Sequence, residues 1–154
     1  MTAASRLDHA TRELDPPFAV ADLDAFERNA ADLLRRAAGK PVRIATKSVR
    51  CIELLRRALR LPGFAGLMCY SLDEALWLHR AGISDDLLVA YPSVSRAALR
   101  TLATDPTASR AITLVIDSVR HLDRIAAVTG IREEIRVCLE VDASWRPLGA
   151  LGPH

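Results

Sequence analysis

The 154-residue sequence is short of lysine, although its charged residues are plentiful. Of its 21 basic residues only Lys40 and Lys47 are lysine. Because arginine stays charged at any useful pH, these two side chains are the only ones that offer an amine for covalent chemistry. The net charge of +2 is too small to indicate a nucleic-acid-binding protein.

Cysteine is also sparse, and its pattern indicates neither a disulfide framework nor a metal site. Cys51, Cys69 and Cys138 are far apart and odd in number, and the sequence has no CxxC pair or Cys/His cluster with metal-ligand spacing. Each cysteine has an apolar neighbour, so we expect three buried and unreactive thiols.

Several targeting and nucleotide-binding signals are missing as well. Residues 1–17 contain no apolar core of a secretory signal, and no run approaches the ~18 consecutive apolar residues of a membrane span. We therefore expect a soluble, cytoplasmic protein without a membrane partner. The sequence has no GxGxxG, Walker A or GxSxG motif, so a nucleotide-binding interpretation lacks its phosphate loop.

The sequence does contain apolar, β-branched runs that recur every 21 to 25 residues and alternate with helical patterns. This interval fits one strand, one helix and two short loops, which is the βα unit of a parallel sheet. The predicted strands are Val42 to Thr46, Gly66 to Tyr70, Leu87 to Tyr91, Ile112 to Ile116 and Ile135 to Val141.

Helix start and stop signals fill the intervals between these runs. Asp22 and Asp24 precede a helical stripe that ends before Gly39, and Ser71 with Glu74 forms a capping box. The predicted helices are Asp24 to Ala38, Arg50 to Leu61, Ser71 to Gly82, Ser95 to Ala103 and Ser118 to Thr129. We also expect a short strand at Phe18 to Leu23 and a loose, flexible arm over residues 1–15.

Five βα units leave two architectures open. One is an open doubly wound sheet, which five strands complete, and the other is a (β/α)8 barrel of about 250 residues. In the barrel interpretation, this chain ends after about five of the eight units.

Both architectures place functional groups at the carboxyl ends of the strands, where Lys47 follows the first strand. Side-chain alternation places Lys47 with Arg43 and Ala45, opposite Val42, Ile44 and Thr46. If that opposite face packs on the helices, Lys47 points into the barrel mouth. We then expect its amine to be partly desolvated and nucleophilic. An ordinary solvated lysine paired with a carboxylate is the alternative.

Other polar groups gather at the same predicted edge of the sheet. Tyr70, Tyr91 and Asp117 lie at or after strand ends, which is weak support because loops are generally polar. His79 and His121 lie within helices without a nucleophile at readable spacing, so we interpret them as structural or surface residues.

Two segments resemble the fold-type III pyridoxal-phosphate enzymes, which share the alanine racemase N-terminal barrel. Residues 17–29 resemble the entry segment of that barrel, and Gly39 to Arg50 resembles its cofactor-lysine strand. Within that family, the pair Lys47-Ser48 at the end of the first strand most resembles the amino-acid deaminase and D-threonine aldolase-like group. Further matches are Tyr91-Pro92 and Cys138 to Arg146, so the resemblance extends over about residues 15–149.

The resemblance implies a parallel (β/α)8 barrel of the TIM type, truncated after about five βα units. Residues 16–154 would form part of this pyridoxal-phosphate-binding barrel, without the C-terminal β-domain. Lys47 matches the lysine that holds pyridoxal 5′-phosphate as a Schiff base, and Tyr91 and Arg146 are candidate cofactor contacts. For Arg50, a structural role at the start of the next helix and a contact with the cofactor are equally good interpretations. No metal ligand is assigned.

The leading hypothesis from the sequence is therefore the N-terminal part of a pyridoxal-phosphate-dependent enzyme acting on amino acids. The resemblance favours deamination or aldol cleavage over racemisation, and it implies a homodimer for the full-length protein. The alternative is a non-catalytic α/β domain that binds a small molecule, or an inactive fragment.

Overall fold

The computed structural model describes residues 2–129 and 134–141, and the chain divides into two compact units, residues 1–42 and 43–154. Each unit has its own helices, and the second contains most of the sheet. Within the described residues, no helix is both long enough and apolar enough to cross a membrane.

The first unit consists of two capped helices, α1 (Ala3–Thr11) and α2 (Leu23–Ala37). The Asp22 carboxylate accepts a hydrogen bond from the backbone N–H of Ala25 at the start of α2, and this bond lowers the pKa of Asp22. Arg6 on α1 forms ion pairs with Asp22 and Asp24.

Two predictions for this unit are wrong in secondary structure. Residues 3–11 of the expected loose arm form α1, because Thr2 caps the helix by accepting from the N–H of Ser5. No strand forms at residues 18–22, since this apolar run has no hydrogen-bonded neighbour in the sheet. An apolar run predicts extended backbone but does not supply the partner that makes a strand.

The second unit alternates strands and helices as predicted. The strands are β1 (Val42–Ala45), β2 (Phe64–Cys69), β3 (Leu87–Val89), β4 (Ile112–Ile116) and β5 (Arg136–Leu139). The helices are α3 (Thr46–Val49), α4 (Ile52–Leu59), α5 (Leu72–Arg80), α6 (Arg96–Thr104), α7 (Pro106–Ala111) and α8 (Val119–Thr129).

The strands form a five-stranded parallel sheet in the order β1-β2-β3-β4-β5. A doubly wound sheet reverses direction at a switch point, whereas a barrel adds each strand beside the one before it. The sequential order therefore excludes the doubly wound alternative for this sheet and confirms the barrel-type α/β arrangement.

The core lies on the helix-facing side of the sheet. Leu67, Leu87, Ile112 and Leu114 alternate along the strands and are almost completely buried, as are Leu72 and Leu78 on α5 and Leu99 and Leu102 on α6. The opposite face is more open, with Met68, Leu88 and Thr113 half-buried. This opposite face is the one that a closed barrel turns toward its interior.

An ion pair ties β1 to the start of β3 across β2. The Arg43 guanidinium lies 2.9 Å from the Asp86 carboxylate, and the pair passes over Gly66. Gly66 has a φ of +75°, and a Cβ at this position would lie 2.4 Å from the Arg43 Nη1 atom and 2.6 Å from the Asp86 carbonyl oxygen. Only glycine leaves room for this arrangement.

The prediction of three buried cysteines holds for Cys69 alone. Cys69 is fully buried in β2, whereas Cys51 and Cys138 are exposed. Burial raises the pKa of the Cys69 thiol to about 12, and the nearby Glu74 carboxylate acts in the same direction. An apolar neighbour in sequence is a poor guide to burial at helix starts and at the sheet edge.

We expect two thiols to react and one to be protected when the folded chain is treated with a chromogenic disulfide reagent near pH 8. The thiolate is the reactive form, and Cys69 is both inaccessible and held protonated at this pH. Peptide mapping should find Cys51 and Cys138 modified, with Cys69 modified only after unfolding. Rapid modification of Cys69 in the folded chain would contradict its placement in the core.

Candidate active site

Lys47 lies at the carboxyl end of β1, within the short helix α3. Thr46 beside it is only 1% exposed and faces the helices, as the alternation of side chains predicts. The Lys47 side chain itself is exposed, so the prediction of a partly desolvated amine is wrong for this chain. The reason is that α3 begins directly after Ala45 and turns the chain out of the sheet.

The Lys47 amine contacts Tyr91, which follows β3. Its Nζ atom donates to the Tyr91 hydroxyl at 3.3 Å and lies 5.7 Å from the ring centroid. The centroid distance is near the ~6 Å limit for a cation–π contact, so the hydroxyl is the main partner. Among the described residues, Nζ has no carboxylate partner. The alternative of a lysine paired with a carboxylate therefore finds no partner in residues 2–129 and 134–141.

Tyr70 at the end of β2 supports Tyr91 from the side. The two rings meet edge to face, with centroids 5.2 Å apart and an interplanar angle of 63°. Lys47, Tyr70 and Tyr91 thus form a cluster at the carboxyl edge of three consecutive strands, which we call the Lys47 cluster. All three members are exposed, Tyr70 by 56% and Tyr91 by 48%.

The hollow beside the cluster is small. Its volume is about 20 Å³, which is enough for about one water molecule. It is lined by Lys47, Met68, Cys69, Tyr70, Ala90 and Tyr91. The described residues therefore provide one wall of a site rather than an enclosed pocket.

Glu74 on α5 connects two segments of the chain beneath the cluster. One carboxylate oxygen accepts from the Thr46 hydroxyl at 2.9 Å and from the backbone N–H of Tyr70 at 2.7 Å. This half-buried carboxylate therefore joins the segment that carries Lys47 to the segment that carries Tyr70. The predicted capping box forms only in part: Ser71 accepts from the Glu74 N–H, while the Glu74 side chain reaches Tyr70 instead of Ser71.

We expect replacement of Glu74 with alanine to lower the free energy of unfolding by about 2 kcal/mol, because the Thr46 hydroxyl and the Tyr70 N–H lose a charged acceptor. Glu53 is the matched control, since among the described residues its exposed carboxylate pairs with Arg56 on the same helix and with no other cation. Its replacement should cost less than about 0.5 kcal/mol. Urea unfolding of both variants measures the difference, and equal effects would contradict the anchoring role of Glu74.

Arg50 follows α3 and acts on the backbone of Lys47. Its Nε atom donates to the Lys47 carbonyl oxygen at 3.3 Å, so it caps the short helix at its carboxyl end. This contact gives Arg50 a structural role. Arg146, the other arginine that the sequence suggested for the cofactor, lies outside the described residues.

Two contacts near the strand ends were not expected from the sequence, although a structural role was one of the interpretations given for His121. Glu74 looked like a helix cap, and its position after Tyr70 gave no sign of its bond to Thr46. His121 looked peripheral but is only 7% exposed, and its Nε2 atom lies 2.9 Å from the Ser93 carbonyl oxygen. Its Nδ1 atom has no hydrogen-bond partner among the described residues and lies 3.8 Å from the Asp117 carboxylate.

The donor set of the Lys47 cluster is an amine and two phenol hydroxyls. In the part of the chain that the structure describes, no three His, Cys, Asp or Glu side chains lie together as metal ligands would. An amine that bonds to a hydroxyl and to no carboxylate is available for attack on a carbonyl group once it loses its proton. The cluster therefore fits an aldehyde-bearing cofactor.

Comparison with known protein families identifies one family for this chain. Residues 21–152 match the family described as alanine racemase, N-terminal domain. The match includes the Lys47 cluster and all five strands. No curated protein matches the chain.

Proposed function

Because the chain belongs to the alanine racemase N-terminal domain family, we propose that it carries the cofactor anchor of a pyridoxal-phosphate-dependent enzyme that acts on amino acids. The family typically uses pyridoxal phosphate. The observation that carries the proposal is Lys47, whose amine lies at the carboxyl edge of the sheet and contacts Tyr91 rather than a carboxylate.

The residues of the cluster have separate tasks in this proposal. Lys47 holds the cofactor through Nζ, and Tyr91 orients Nζ by accepting its hydrogen bond. Tyr70 fixes the ring of Tyr91, while Glu74 accepts hydrogen bonds from the Thr46 hydroxyl and the Tyr70 backbone N–H. When bound, pyridoxal phosphate supplies a carbonyl carbon for the amine and a ring that delocalises negative charge from the substrate Cα. The Nζ atom of Lys47 would also be the group that takes up or returns the proton at the substrate Cα.

The reaction class is a finer part of the proposal. Lys47 followed by Ser48 resembles the amino-acid deaminase and D-threonine aldolase-like group, which supports deamination or aldol cleavage over racemisation. The same resemblance supports a homodimer as the form of the full-length protein.

The direct test is to mix the chain with pyridoxal phosphate, record the absorbance, reduce with borohydride and map the modified peptide. We expect a new absorbance band and a pyridoxyl-phosphate group on Lys47. Modification confined to Lys40 or to the terminal amine would overturn the proposal. Absence of any modification in a chain that still unfolds cooperatively would instead support a non-catalytic binding domain.

A further inference from the structure

A second polar surface lies between α6 and α8, which pack beside each other. Arg96 and Arg100 on α6 and Arg120 and Arg124 on α8 line a hollow of about 560 Å³. We call this surface the arginine groove. Its volume lies within the usual range of small-molecule sites, ~300–1,000 Å³. The groove shares no lining residue with the hollow beside Lys47.

The charge of the arginine groove is largely uncompensated. In the described ranges 2–129 and 134–141, none of its four arginines has a carboxylate partner. Asp123 is the single acidic residue in its lining, so the groove carries a net charge of +3. Elsewhere in the described chain, arginines such as Arg6, Arg36 and Arg43 do form ion pairs.

The four guanidinium groups are also ordered in space. Each pair is four residues apart on its helix, which places the two side chains on one face about 6 Å apart along the axis. Both helices begin after parallel strands, so their positive ends lie at the same edge of the sheet. Arg96 and Arg120 lie in the first turns of these helices, which contain no acidic residue.

A buried group with an unmet hydrogen bond lies beside the arginine groove. His121 lines an adjoining hollow of about 340 Å³, which shares Arg120 and Arg124 with the groove. The side chain is about 95% buried, and its Nδ1 atom lacks a hydrogen-bond partner among the described residues. Because Nδ1 is buried and lies 3.8 Å from the Asp117 carboxylate, His121 supports the start of α8, and contacts with a bound anion fall to the arginines.

We propose that the arginine groove binds a triphosphate chain, either free or as part of a nucleoside triphosphate. Guanidinium groups bind phosphate oxygens in pairs of parallel hydrogen bonds, and this geometry suits arginine better than any other residue. A chain of three phosphates carries about four negative charges at neutral pH, which is enough to offset the net charge of +3 in the groove. A single phosphate would satisfy only part of the groove.

The experiment is a calorimetric titration of the chain with inorganic tripolyphosphate and, separately, with ATP, at about 150 mM salt without magnesium. The test variant is Arg100→Gln with Arg124→Gln, which removes one guanidinium from each side of the groove. The control is Arg60→Gln with Arg80→Gln, because these arginines are exposed, lack ion pairs among the described residues and lie outside both hollows. Both variants lose the same charge.

We expect saturable binding of one triphosphate per chain that weakens by about tenfold or more in the test variant and stays unchanged in the control. Equal affinity for the two anions identifies the phosphate chain as the ligand, and tighter binding of ATP identifies the nucleotide. Equal weakening in both variants would overturn the proposal, since it would indicate general attraction of charge. Binding of an acidic peptide or single-stranded DNA without binding of triphosphate would overturn it as well. A melting curve checks that each variant is folded.

Discussion

Replacement of Lys47 with arginine is expected to abolish covalent attachment of pyridoxal phosphate. Arginine keeps the positive charge and can still donate to Tyr91, but its guanidinium does not supply a neutral amine at any useful pH. Borohydride reduction followed by peptide mapping measures the result. The loss should be complete rather than partial, because no other side chain in the cluster is an amine.

The scarcity of lysine provides an unusually clean control for this variant. Lys40 is the other lysine of the chain, and it is exposed. The Lys40→Arg variant should therefore keep the full extent of modification, with the label on Lys47. If Lys47→Arg retained the absorbance band and the label, then the anchor would have to be another group and the proposed function would fail.

Replacement of Gly66 with alanine is expected to lower the free energy of unfolding by roughly 3–5 kcal/mol. Two costs combine at this position. The left-handed φ of +75° strains any residue with a Cβ, and the added methyl group would lie 2.6 Å from the Asp86 carbonyl oxygen. That oxygen cannot move away cheaply, since it accepts a hydrogen bond from the N–H of Leu67.

Replacement of Gly82 measures the first of these two costs, the backbone strain, without the second. Gly82 also has a positive φ, +63°, but no atom lies within 4 Å of the position its Cβ would occupy. Gly82→Ala should therefore show the backbone strain alone, about 1–2 kcal/mol. Denaturant unfolding of both variants gives the comparison. Equal losses would mean that the Arg43–Asp86 pair moves aside at little cost.

The helices and strands that were predicted correctly are those whose limits are set by residues next to them in the sequence. Ile112 to Ile116 is a run rich in β-branched residues that ends before Asp117, and β4 has these bounds. Helix α7 was missed although Asp105 followed by Pro106 is a helix-start signal: Asp105 caps α7, and its bond to the Thr107 hydroxyl lowers its pKa. The sequence analysis predicts no element in the short interval between α6 and β4.

The site was predictable only in part, because its geometry depends on strand order. Lys47 was identified from its place after a strand and from the rarity of lysine. The contact with Tyr91 requires β1, β2 and β3 to be neighbours in that order, which the spacing of the runs does not specify. The bond between Glu74 and Thr46 depends in addition on how α5 packs near the end of β1, and a sequence pattern does not contain that information.

The sequential strand order also has a consequence for how the chain folds. Each strand of the sheet pairs with the strand that precedes it along the chain, so most strand contacts join residues that are close in sequence. Each closed loop is therefore about one βα unit long, which limits the growth of the loop-closure cost along the chain and allows every unit to dock on the previous one during synthesis. The Arg43–Asp86 pair, which joins two strands that are not neighbours, can close only after β3 has emerged. It would therefore lock the first three strands together as a late step of their assembly.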